Sequence, residues 1–352
     1  MPRKRTEREA DRRATMADVA ARAAVSAQTV SRVLRDPTCV MPETRDRILA
    51  AVKLLNYVPN LAASNLASSK SSLVGAIIPS ISASVFSETI QGLSGGLLQA
   101  GFQLLLGHTD YSLETEERLI RAFLSRRPDA LFIGGTKHTR GAVALLRDAR
   151  IPIVESWDWL PRPLDSLVGF SNRNAAHAMV RHLVGAGWRR IAFVGIVNSG
   201  DYRAIEREKG YLAAVKEFGL DKPRSMRLDG YPPSMQTGVD ALDKVLTEFP
   251  DIDAIFFSSD VFAAGAMLEC QRRGLLVPDQ LAIAGFGNFN IAAQLNPSLT
   301  TVAVPAYEIG KQAAEYLLKR MGKEPVPPAS IDVGFQVIPR KSTQRELSTG
   351  TA

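Results

Sequence analysis

Apolar positions follow two rhythms along this chain. Up to Tyr57 they recur three and four residues apart; from Leu73 onward short unbroken apolar runs alternate with amphipathic stretches. Val19, Ala20 and Ala23 share one helical face, and Val30, Val33 and Leu34 share another. Thr15 with Asp18 three residues on forms a capping-box-like start, and Ser26 suits the N-cap of the second helix. Only Ala24 and Val25 lie between, enough for a tight turn between crossed helices. The second helix is left with Gln28, Thr29, Ser31 and Arg32 on its outer side, side chains suited to base edges and phosphates. Pro42 opens a third helix, for which Ile48, Leu49, Val52, Leu55 and Tyr57 supply the closing face, and Pro59 ends it. The serine-rich LAASNLASSKSS then reads as a linker.

Beyond the linker, LVGAIIP, FQLLLG, ALFIGG and IPIVES predict buried parallel strands separated by helical patterns. A second set, RIAFVG, SMRL, DAIFFSSD and LAIAGF, alternates with helices around 173–186, 203–218, 235–249 and 260–273. The halves echo each other, RRPDALFIGG against PDIDAIFFSS, as in an α/β core of two doubly wound lobes. A ligand then belongs between the lobes, at the carboxyl ends of the strands.

Charge separates the two parts. Lys and Arg number 43 against 36 Asp and Glu, a net +7, and residues 1–70 alone hold 13 basic and 7 acidic side chains. A basic N-terminal part favours nucleic acid whatever its base sequence, and a near-neutral core suits a small-ligand binder. Cys39 and Cys270 fall in different units and are expected as reduced thiols. The charged leader runs into the first helix without an apolar segment, and no stretch is long enough to span a bilayer, so a cytoplasmic protein is expected. Enzyme motifs are weak. Gly92-Leu93-Ser94-Gly95-Gly96 has the spacing of a nucleophile elbow but lies inside a helical pattern. Gly285-Phe286-Gly287-Asn288-Phe289-Asn290 lacks the third glycine of a dinucleotide fingerprint. His108, His138, His177 and His182 have no zinc-ligand spacing. No catalytic residue, metal or cofactor is therefore expected.

Asp18-Val19-Ala20, Val25-Ser26, Thr29-Val30-Ser31-Arg32 and Asn56-Tyr57-Val58-Pro59-Asn60, followed by a hinge and a two-lobed core, resemble the LacI/GalR family of bacterial repressors. The resemblance implies a basic disordered arm over 1–14, a helix-turn-helix headpiece over 15–59 and a hinge over 60–72. It further implies an effector-binding and dimerisation core over 73–340, like periplasmic sugar-binding proteins, and a polar tail over 341–352. The lobes would comprise about 73–170 with 304–325, and about 171–303, the helix around 306–321 crossing back to the first. Thr15, Ala27, Gln28, Thr29, Ser31 and Arg32 would contact a palindromic operator, with Asn60, Ala63 and Leu66 from the hinge. Leu66 matches the family's minor-groove wedge, or is a packing residue of an ordinary linker. Ala24 departs from the glycine usual in the turn. The polar end without leucine heptads argues for a homodimer rather than a coiled-coil tetramer.

Strand ends and helix starts supply the expected effector contacts: Ser80, Phe86, His108, Thr136, Glu155 and Trp157 from the first lobe, and Arg203, Arg207, Lys209, Asp260 and Asn288 from the second. Arg207 sits where the family's ligand-binding arginine sits, though a solvated helix face would also explain it. Phe86 and Trp157 are either ligand walls or core aromatics. Gly287 stands where sugar- and purine-binding members carry an aspartate, which removes repulsion against an anion. Together with Pro79-Ser80, His138-Thr139, Val154-Glu155, Asp158, Val168 to Asn172, Glu269 to Arg272 and Val277 to Asp279, this resembles the gluconate-operon repressor branch. The expectation is a repressor of sugar-acid genes released by gluconate. The alternatives are 6-phosphogluconate, a ketogluconate or another sugar as effector, a co-repressor logic, and a sugar-acid-binding or enzymatic module with an accessory DNA domain.

Overall fold

The computed structural model describes residues 14–58, 71–81, 84–196 and 201–345. The chain divides into two compact units, Met1–Ser71 and Ser72–Ala352. In the first, α1 (Met16–Ala23), α2 (Ala27–Arg35) and α3 (Pro42–Leu54) enclose a core of Val19, Ala20, Ala23, Val30, Val33, Ile48, Ala51 and Tyr57. The capping box at the start of α1 is complete: the Asp18 amide donates to Thr15 Oγ1 at 3.3 Å and the Thr15 amide to Asp18 Oδ2 at 2.7 Å. Ala24 takes the left-handed conformation, with the Val25 amide donating to Ala20 O and the Ala24 amide to Ala21 O, a Schellman closure. The same device ends α3. Asn56 is left-handed, the Tyr57 amide reaches Val52 O, and the Tyr57 ring is thereby turned into the core. One expected core residue lies outside: Leu49 is 42% exposed, because Ile48, Ala51, Val52 and Leu55 already form the inward stripe and Leu49 stands about 100° off it.

The second unit holds two six-stranded sheets. The first is ordered β11-β5-β4-β3-β1-β2, from β1 (Leu73–Ile78), β2 (Gln103–His108), β3 (Ala130–Ile133), β4 (Ile153–Ser156), β5 (Ser166–Gly169) and β11 (Ser330–Asp332). The second is β12-β10-β9-β8-β6-β7, from β6 (Ile191–Ile196), β7 (Arg224–Leu228), β8 (Ala254–Phe257), β9 (Ala282–Gly287), β10 (Thr300–Ala303) and β12 (Gln336–Ile338). All ladders are parallel except β10 with β12. Each lobe thus repeats one doubly wound order, its direction reversing between β1 and β3 or between β6 and β8, where such folds bind ligands.

Helices cover the sheets: α4 (Ser84–Gln99), α5 (Leu113–Leu124) and α6 (Arg140–Ala149) in the first lobe; α7 (Asn172–Gly185), α8 (Tyr202–Glu217), α9 (Met235–Glu248), α10 (Asp260–Arg273) and the short α11 (Asn290–Gln294) in the second. The chain crosses back through Val304 and Pro305 into α12 (Ala306–Met321), which packs on α4. The two helices approach so closely that a Cβ at Gly310 would lie 1.8 Å from Thr89 O, and one at Gly92 2.2 Å from Tyr307 O. The Gly-Leu-Ser-Gly-Gly string is thus a helix-packing surface, not a strand-to-helix elbow.

Two features differ from expectation at the C-terminal end. β11 returns to the first sheet and β12 to the second, so the chain passes between lobes three times. The polar residues from 341 do not begin a tail. Ser342 and Thr343 are fully buried in a 3-10 turn, where Ser342 Oγ donates to Ile283 O and accepts from the Thr300 amide, and Thr343 O accepts from the Trp188 indole. Their hydroxyls are polar in sequence but satisfied inside.

Candidate nucleic-acid interface and ligand cleft

In the headpiece, the apolar face of α2 fixes which side chains remain outside. Val30 and Val33 are buried, leaving Ala27, Gln28, Ser31 and Arg32 exposed along one side. Thr29 is half-buried, its hydroxyl 2.8 Å from that of the capping Ser26. Thr15 is half-buried within its capping box. A short helix presenting small and polar side chains together with an arginine has the chemistry of a major-groove reader. Asn60, Ala63 and Leu66 lie outside the described residues.

In the second unit the strands β1, β3, β4 and β9 deliver their ends toward the start of α8, and there the lobes meet through side chains. Tyr202 of α8 is buried, and its hydroxyl accepts from the Thr136 amide at 2.5 Å and lies 3.1 Å from Thr136 Oγ1, beyond the end of β3. One residue on, Arg203 is 4% exposed and donates through Nη2 to Gly134 O, with Asp201 3.5 Å away. Lys137 Nζ lies 4.7 Å above the Tyr202 ring. Beside them is a cavity of about 20 Å³ lined by Pro79, Tyr111, Gly135, Tyr202 and Arg203.

One helical turn further, Arg207 stacks 3.8 Å from the centre of the Phe286 ring. Its Nε donates to Asn172 Oδ1 at 2.9 Å and its Nη1 to Ser258 O at 2.7 Å. Both acceptors are neutral, and no carboxylate among the described residues pairs with it. Burial therefore pulls its pKa down to about 10, against the partial support of Asp201. The Asn172 amide is a hub. Besides Arg207 it serves Trp157 O at 3.0 Å and Asp158 Oδ1 at 3.1 Å, tying the loop after β4 to α8. Burial raises the pKa of Asp158.

Aromatic rings continue this surface: Phe86 against Trp157 at 4.8 Å, Trp157 against Phe170 at 6.1 Å, Phe170 against Phe286 at 6.3 Å. Phe86 and Trp157 are 4% and 2% exposed. Gly287 has φ +125°, and a Cβ there would lie 2.4 Å from the Phe289 ring, so that ring occupies the place a side chain at 287 would need.

Not every expected contact converges here. Ser80 is buried at the end of β1, and Thr136 is engaged by Tyr202. His108 is partly exposed, 3.2 Å from Asp110. Lys209 is exposed and pairs with Glu206 of the same helix at 2.7 Å. Glu155 is buried but taken, facing His138 Nε2 at 3.2 Å and accepting from the Leu164 amide at 2.5 Å. Asp260 is fully buried with both oxygens used, Oδ1 by the Thr301 hydroxyl and Oδ2 by the Phe289 amide. Burial lifts its pKa to about 6. Asn288 is exposed and accepts from Arg340 at 2.8 Å. Sequence reasoning left out the hub role of Asn172 and the platform Phe286; their signals were the helix start after Val168-Gly169-Phe170-Ser171 and the aromatic of the Gly-Phe pair ending β9.

Known proteins place these features in context. Residues 15–60 match the bacterial regulatory proteins, lacI family, and residues 180–343 match the periplasmic binding protein-like domain. The HTH-type transcriptional regulator GntR of Escherichia coli K12 is 36% identical over 328 residues, 93% of this chain and 98% of that protein. A LacI-family transcriptional regulator from Silicibacter pomeroyi superposes with a TM-score of 0.88 at 36% identity, covering 94% of this chain and all of that one. The transcription regulator GntR from Chromobacterium violaceum is 39% identical with a TM-score of 0.72, over 77% of this chain and 99% of that one.

Proposed function

Because this chain belongs to the lacI family of bacterial regulatory proteins, we propose that it represses sugar-acid utilisation genes and leaves its operator when gluconate enters the interlobe cleft. It is a DNA-binding transcriptional regulator; α2 would read the operator through Gln28, Thr29 and Arg32, with Ala27 and Ser31 alongside. The observation that carries the effector class is Arg207, a half-buried cation whose described hydrogen bonds all go to neutral acceptors. A guanidinium so placed suits a carboxylate, held bidentately. The aromatic surface from Phe86 to Phe286 suits the carbon chain, and Asp158 its hydroxyls. The relatives named GntR support the same reading, as does the absence of a carboxylate at Gly287.

The active form would be a cytoplasmic homodimer, placing two copies of α2 on the two halves of a palindromic site. Exposed Leu98, Leu106 and Tyr307, on neighbouring elements of the first lobe, supply apolar surface for such pairing. The reading makes the protein a ligand-gated repressor rather than an enzyme; the oxygens of Glu155 and Asp260 are engaged within the protein, not offered to a substrate.

The test is a thermal-shift series with gluconate, 6-phosphogluconate, 2-ketogluconate, glucose and hypoxanthine, followed by operator binding of Arg207→Ala. At about 100 times its dissociation constant a true effector adds about 2.7 kcal/mol to the folded state, a shift of several degrees. Gluconate is expected to give that shift, and Arg207→Ala to hold operator with gluconate no longer releasing it. A shift with glucose or hypoxanthine alone would overturn the sugar-acid assignment.

A further inference from the structure

Two buried donors beside Phe86 have no acceptor among the described residues. Trp157 is 2% exposed, yet its indole Nε1 has no hydrogen-bond partner among the described residues, and the same holds for Nε of Arg203, 4% exposed. Buried polar groups are nearly always paired, and leaving one unmade costs on the order of 1–3 kcal/mol. Both orphans border one ring: Phe86 lies 4.8 Å from the Trp157 ring and 5.8 Å from the Arg203 guanidinium carbon. Trp157 is also held in the left-handed region at φ +69°, a conformation costly for a bulky residue and found where surrounding structure enforces it for a purpose.

The loop that carries Trp157 is anchored by the Asn172 hub. The amide that fixes Arg207 Nε also fixes the Trp157 carbonyl and the Asp158 carboxylate. The unpartnered indole N–H is therefore built to a set position relative to Arg207. Asp158 carries a carboxylate close enough to act on the charge of Arg203, so acceptor and donor stand near each other, the pairing that a hydroxyl group, itself both, satisfies. The charge of Arg203 already faces Asp201 at 3.5 Å, whereas Arg207 donates to neutral acceptors, so the carboxylate of a ligand gains more at Arg207.

From this we propose that Trp157 Nε1–H and Arg203 Nε–H form a hydroxyl-binding subsite for the distal end of the effector's polyol chain, which fixes the ligand's direction: carboxylate at Arg207, terminal hydroxyls at Trp157. The assignment rests on the sugar-acid reading above and adds to it a selection by chain length and hydroxylation. A carboxylate without distal hydroxyls leaves two buried donors unmade, and discrimination by such unmade bonds is strong.

The experiment is calorimetric titration of the full-length protein with gluconate, 5-deoxygluconate and 6-deoxygluconate, for wild type and for Trp157→Phe, which keeps an aromatic ring and removes the N–H donor together with its five-membered ring, a loss of packing common to all three acids. Wild type is expected to lose about three- to tenfold in affinity for one of the deoxy acids, the size of one hydrogen bond. Beyond that common loss, Trp157→Phe should lose the same factor on gluconate and nothing further on that deoxy acid. Equal wild-type affinity for all three acids would overturn the subsite, and that comparison needs no variant. A variant weakened by one factor on every acid would also overturn it, since that pattern marks a structural role. Failure of wild type to bind any of the three sinks the effector reading and the subsite together, whereas gluconate binding that depends on Arg207 but not on Trp157 sinks the subsite alone.

Discussion

Ala24 carries the turn of the headpiece at φ 53°, where a Cβ costs on the order of 1 kcal/mol and glycine nothing. Ala24→Gly should accordingly stabilise the headpiece by about 0.5 kcal/mol, the strain relief exceeding the added freedom of the unfolded chain. Slower amide exchange of Val19 and Val30 in the full-length protein is the expected sign. A second single-residue effect concerns His138, whose side chain is 2% exposed between Glu116 Oε1 at 2.6 Å and Glu155 Oε1 at 3.2 Å. Burial is the largest influence and opposes its charge, but the two carboxylates together outweigh it and push the pKa up to about 9. The folded value lies above the ordinary 6.5, so this stabilisation is fully present below pH 6.5 and is lost as pH rises through about 9. Wild type should therefore lose melting temperature across that window, while the gap separating it from His138→Gln narrows. A gap that stays constant from pH 6 to 9.5 would contradict the charged histidine.

Among the elements, the α4–α12 pair joins the returning chain to the first lobe, and it depends on the missing side chains of Gly92 and Gly310. Gly310→Leu forces backbone apart at Thr89 and should cost about 3 kcal/mol or more, read as a lower urea midpoint. Elements of this kind were legible in sequence because their periodicity is long: the strands and helices of both lobes follow the apolar runs and amphipathic stretches. β11 and β12 were not, since three residues such as Ser330–Asp332 carry too little pattern to mark a strand. Ser342 and Thr343 looked like tail because their partners, Thr300 and Ile283, stand about forty to sixty residues earlier in the chain. The cleft was legible in part. Arg207, Phe86 and Trp157 were expected from strand ends and helix starts, and the structure joins them through one run of rings with Phe170 and Phe286. Asn172 was hidden because its bonds come from the loop after β4 and from α8, and no local spacing reveals that. Glu155 and Asp260 stood at the right strand ends, but His138 and Thr301 had already claimed their oxygens.

For the second unit as a whole, the contacts of Tyr202 with Thr136 and of Arg203 with Gly134 hold the two lobes together beside a cavity of about 20 Å³, room for roughly one water and far short of a sugar acid. On the proposed reading, effector entry between the lobes is expected to part these contacts. Tyr202→Phe removes the phenolic oxygen that accepts from Thr136 and should raise the association rate of the effector about three- to tenfold in stopped-flow titration. An unchanged rate would mean that the lobes separate elsewhere. The consequence reaches beyond binding to dose. Apparent affinity equals intrinsic affinity scaled by the fraction of molecules that stand open, so the Tyr202–Thr136 contact, together with that of Arg203 and Gly134, would set a threshold for the genetic response. Descendants of this protein could shift the concentration at which their genes switch on by changing Tyr202 or Thr136 alone, keeping the same ligand and the same operator.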